Sequence, residues 1–187
     1  MTQDLDESGQ GLARAFFTGA NAPLLAELRK RTDAEQEREA LRDAVGLKDE
    51  TFLRRLQMLG VRPEAAVALV MVPLVLVAWG DGTLDEKERE AILAAARQRG
   101  IGAERIAGEL LKNGLASKPD SKLLATWTAY ARRLWGKFTA DERWAMRESL
   151  LRSARQVAEA TGGLFGLTSK VSAGERKVLQ EIEAVLD

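Results

Sequence analysis

Three observations predict an all-α fold, a helical bundle. Apolar residues recur at spacings of three and four almost throughout, alternating β-branched runs are absent, and helix start and stop residues punctuate the chain at short intervals. At 187 residues, with 45% hydrophobic and 30% charged side chains and only four prolines, the chain is long enough to build a real core.

The helix starts come from capping boxes, in which a Ser, Thr or Asp side chain accepts from a backbone amide and a Glu three residues on reciprocates. Thr32 with Glu35, Asp85 with Glu88, Thr139 with Glu142, and Ser172 with Glu175 fit the pattern. Stops are assigned to Gly46, Gly60, Gly100, Gly114 and Gly162, because glycine accepts the left-handed conformation of a helix end without strain. Between these marks the predicted helices are 9–18, 23–31, 33–45, 49–59, 63–79, 85–99, 103–113, 120–136, 139–161 and 172–186. Only the acidic start is expected to be disordered.

Residues 65–79 carry no charge, but a membrane span needs about 20 apolar residues. The stretch from Pro63 to Trp79 is therefore a central helix, apolar on every face and surrounded by the others, with Pro73 removing one backbone hydrogen bond. No transmembrane segment is predicted. The start also lacks the charged and apolar regions of a signal peptide, so the expected location is cytoplasmic.

The chain has no cysteine and no histidine, which removes thiolate nucleophiles, Cys/His zinc sites, Ser-His-Asp triads and imidazole bases together. Lys plus Arg balances Asp plus Glu at 28 each, so no overall field points to nucleic acid or an anionic surface. Trp127, Trp135 and Trp144 lie among arginines, and core packing with the arginines reaching outward explains them more simply than a binding surface.

Two stretches share one plan of helix, glycine turn, apolar plug, capping box and helix. The first runs from Val77 through Gly80, Asp81, Gly82 and Leu84 to Asp85 and Glu88; the second runs from Val157 through Thr161, Gly162 and Val171 to Ser172 and Glu175. The second copy has seven more residues in its turn. Such a duplication predicts two helix-turn-helix units packed face to face.

In these residues the chain resembles the TerB-like family, named for tellurite-resistance proteins. The family's mark is an Ala-x-Ala-Asp-Gly-like turn followed by an apolar residue, Asp or Ser, two spacers and Glu. It stands here as Ala78, Trp79, Gly80, Asp81, Gly82, Thr83, Leu84, Asp85 and Glu88. Gly80 replaces the usual Ala, and the second copy has Thr161 where the Asp would be. The resemblance covers residues 63–187 and divides the chain into an N-terminal helical extension, 1–61, and a TerB-like helical domain, 62–187. It implies an all-helical bundle linked to tellurite resistance or stress response; the missing catalytic chemistry makes the expected function a non-enzymatic binding or scaffold protein with a protein partner.

The alternative function is divalent-cation binding. Asp81, Asp85, Glu86 and Glu88 place carboxylates close together, and hard oxygen ligands favour Ca²⁺ or Mg²⁺. An ordinary EF-hand is rejected, since its first and third positions would be Val77 and Trp79. Face-to-face packing of the two copies would add Glu175, and Glu159, to a site of Asp81, Asp85 and Glu88. Against this, Asp85 and Glu88 are fully explained as a helix cap and its reciprocal partner.

Overall fold

The structure is a computed structural model that describes residues 2–29, 36, 38–39, 42, 50–98, 105–162 and 171–187. Among the described residues the regular structure is helical, with no strand. The helices are α1 (Thr2–Phe16), α2 (Ala22–Arg29), α3 (Glu50–Met58), α4 (Pro63–Ala78), α5 (Glu86–Gln98), α6 (Arg105–Ala116), α7 (Leu123–Trp135), α8 (Ala140–Gly162) and α9 (Ala173–Leu186), with a 3₁₀ turn at Gly19–Asn21. The chain is an all-α bundle. None of these helices is long and apolar enough to cross a membrane.

The middle of the bundle is α4. Every residue from Pro63 to Ala78 except Leu76 is buried, and α1, α2, α6, α7, α8 and α9 all pack against it. Its uniform apolarity leaves no face for water, so the other helices wrap it. Truncating a core side chain such as Leu69 or Leu74 to Ala would cost roughly 2 to 5 kcal/mol. The one carboxylate in its first turns, Glu64, is buried and meets Arg29 Nε at 3.2 Å. Gly60, with φ +73°, ends α3 and lets the chain turn into α4.

Pro73 lies inside α4 and has no N–H to give the carbonyl of Leu69, four residues back. The indole Nε1 of Trp127, on α7, donates to that oxygen at 2.9 Å. Two other tryptophans act alike at helix ends, where the last four carbonyls lack partners within the helix. Trp79 Nε1 donates to Gly114 O in the last turn of α6 (3.2 Å), and Trp135 Nε1 to Leu186 O at the end of α9 (3.0 Å). Three indoles thus tie four helices, α4, α6, α7 and α9, together through otherwise unpaired carbonyls.

Several expectations change. Trp127 and Trp135 are core residues, but Trp144 is 68% exposed on the outer side of α8. The acidic start is helical from Thr2, because Leu5, Leu12 and Phe16 are buried in the shared core and α1 packs on α4 and α7. Burial overrides the weak helix propensity of the Ser-Gly-Gln-Gly run. Gly114 does not stop a helix but sits inside α6, where a Cβ would fall 2.6 Å from Val75 Cγ2; it lets α6 approach α4. Of the helix expected at 33–45, residues 36, 38–39 and 42 are described and are helical; the Thr32 box, Gly46 and Gly100 lie outside the described residues, as do residues 163–170 of the longer second turn. Residues on both sides of position 61 contribute to one hydrophobic cluster.

Candidate functional site

The acidic turn between α4 and α5 is built by local hydrogen bonds. Asp81 Oδ1 accepts from Thr83 N at 3.1 Å, closing a tight turn around Gly82, whose φ of +89° suits glycine. Asp85 Oδ1 accepts from Glu88 N, and Glu88 Oε2 from Asp85 N, both at 2.9 Å. The second copy repeats this, with Glu175 N donating to Ser172 Oγ at 3.1 Å and Ser172 N to Glu175 Oε2 at 2.7 Å. A third box joins Thr139 and Glu142.

The two copies meet through backbone. A Cβ on Gly80 would lie 2.6 Å from Glu175 Cα, and one on Gly174 would lie 2.1 Å from Gly80 O. The start of α9 therefore rests directly on the turn that ends α4, and Glu175 is buried there while Asp81 and Asp85 stay exposed. The contact is glycine on glycine, not carboxylate on carboxylate. Among the described residues no three Asp or Glu side chains converge to hold a metal ion. Of the carboxylates named from the sequence, Asp81, Asp85, Glu88 and Glu175 each accept a backbone N–H of their own turn, and Glu159 is exposed on α8.

A cleft of about 620 Å³ lies elsewhere, between the end of α1, the 3₁₀ turn, the end of α6 and the start of α7. This is within the size range of small-molecule sites. Phe16, Val75 and Leu123 form an apolar floor, with Ala15 beside them. One wall carries a linked amide pair: Asn21, buried, accepts at Oδ1 from Asn113 Nδ2 at 3.0 Å. Asn113 keeps a carbonyl oxygen and a second amide hydrogen. The rim is the loop from Ser117 to Lys122, in which Asp120 Oδ1 accepts from Lys122 N at 2.7 Å and so shapes the entry to α7. The Trp79 indole on Gly114 O fixes α6 against α4 beneath the cleft.

Sequence reasoning missed this site because its walls come from residues 15–21, 75 and 113–126, which share no short spacing. The clue within reach was Gly114, a glycine in a sound helical pattern, which signals close approach as readily as a stop. Burial, with Asp6 and Glu64 nearby, pushes the ionisation of the Tyr130 hydroxyl well above its ordinary range; Tyr130 is a core residue and not part of the cleft. Comparison of the chain with protein-family models, with curated proteins and with solved structures finds no match.

Proposed function

We propose that this is a cytoplasmic, non-enzymatic binding protein whose binding site is the cleft between α1, α6 and α7. The observation that carries the reading is the cleft itself: an apolar floor beneath a polar wall and rim, in a space of small-molecule size. Its side chains are suited to holding a guest rather than transforming it. They include no carboxylate pair, and Lys118 and Lys122 are exposed, outside the apolar surroundings that make an amine a nucleophile. The absence of His and Cys from the whole chain supports the same view. The resemblance to the TerB-like family, which rests on the motif from Ala78 to Glu88 and its second copy, adds a setting in stress response or tellurite resistance.

The test is a thermal-unfolding screen of small molecules on the wild type and on Ala15→Trp, which fills the cleft from α1. A guest at one hundred times its Kd contributes about 2.7 kcal/mol and raises the midpoint by roughly 5 to 10 °C. Compounds that shift the wild type and not the variant support the reading. Shifts of equal size in both proteins refute it.

A further inference from the structure

We propose that the cleft selects amphipathic anions, molecules with an apolar body and a single carboxylate, sulfonate or phosphate-ester head; this rests on the binding reading above. The body belongs on the floor of Phe16, Val75 and Leu123, where displacing water from apolar surface favours it. The head belongs at the rim, beside Lys118 and Lys122. Among the described residues neither lysine has an acidic side chain within ion-pair distance. The single lining carboxylate, Asp120, gives one oxygen to the Lys122 amide, so the rim holds two cations against one anion already engaged in its own turn.

Lys118 reaches the α4–α5 turn beside the cleft, its Nζ 3.6 Å from where a Cβ on Gly82 would stand. In that turn Asp81, exposed, accepts at Oδ1 from Thr83 N. A head group at the rim has the two exposed lysines of the lining within reach of their flexible stems, and the remaining amide hydrogen of Asn113 on the wall. One excess positive charge is matched by one negative charge, whereas a cation would meet repulsion from both lysines. At about 620 Å³ the space admits one molecule of drug size and not a folded peptide.

Two fluorescent dyes separate head from body. 1-Anilinonaphthalene-8-sulfonate carries a sulfonate, and N-phenyl-1-naphthylamine has the same aromatic body without it. Titrated into the full chain, the anionic dye is expected to bind more tightly by roughly tenfold, the value of one charge-assisted contact, with the preference shrinking as salt is raised. In Lys118→Gln, Lys122→Gln the two affinities should converge, and in Ala15→Trp both dyes should weaken. Equal affinities in the wild type, or a preference that survives in the lysine variant, would overturn the anion selection and leave the cleft as a binding site. Undiminished binding of both dyes to Ala15→Trp would overturn the binding reading itself.

Discussion

The two copies of the helix-turn-helix motif use the same local chemistry for different ends. In the first, Asp85 and Glu88 cap α5 at the surface, and position 87, in the first turn of the helix, is a lysine exposed to water. In the second, Ser172 and Glu175 cap α9 in the same way, but the residue at the corresponding place is Gly174, pressed on the backbone of Gly80. In both copies the capping box thus starts a helix, whereas the residue between cap and partner decides whether that helix end can be buried. Here the lack of a side chain converts a local signal into a tertiary contact.

Gly174→Ala should show the largest effect. A methyl group 2.1 Å from Gly80 O forces the start of α9 away from the α4–α5 turn, and the better helix propensity of Ala recovers at most about 1 kcal/mol. We expect a loss of roughly 3 kcal/mol, seen as a fall of about 6 to 12 °C in the unfolding midpoint. Lys87→Ala, its counterpart in the first copy, should stay within about 0.5 kcal/mol of wild type. Similar losses in the two variants would show that the copies are not distinguished by burial.

The reciprocal carboxylates give the next contrast. Glu175→Ala strands a partly buried Ser172 N–H and should cost about 1 to 3 kcal/mol in denaturant unfolding, with Glu175→Gln regaining part of it through its amide oxygen. Glu88→Ala exposes its partner to water and should cost below about 1 kcal/mol. The tryptophans divide in the same way. Trp127→Phe orphans Leu69 O and should cost about 1 to 3 kcal/mol, while Trp144→Phe should be nearly neutral. In a Pro73→Ala background the new N–H at position 73 can serve Leu69 O, so the Trp127→Phe penalty should fall by about 1 kcal/mol in a double-mutant cycle.

These contrasts also mark how far the sequence could be read. The apolar run of α4 and the capping boxes of α5, α8 and α9 were legible because each depends on residues within one turn or one helix. Pro73 was legible as a missing donor, but not the indole that replaces it, since Trp127 is separated from Leu69 by 58 positions. Gly114 and Gly174 have the same side chain as Gly60, and only the third dimension separates a helix stop from a close approach. Trp144 lies outside because it stands two residues before Met146, off the buried stripe of Met146, Leu150, Ala154 and Val157 on α8. The cleft was invisible for the same reason: its floor, its amide wall and its lysine rim come together only when α1, α6 and α7 pack around α4.

A change at the surface, smaller in its expected effect than the buried ones, tests whether the exposed copy does anything more than cap. In Asp81→Ala, Glu88→Ala the turn loses the Asx bond to Thr83 and the reciprocal bond to Asp85, and both groups lie where water can substitute. A loss near 1 kcal/mol, about 2 to 4 °C in the midpoint, is expected. Millimolar Ca²⁺ or Mg²⁺ should move neither protein, since each carboxylate is already turned towards a backbone N–H and no three converge among the described residues. A cation-dependent rise in the wild type that disappears in the variant would reverse the comparison. The exposed copy would then be the one put to chemical use, with its caps serving as ligands, and the buried copy would be its structural support.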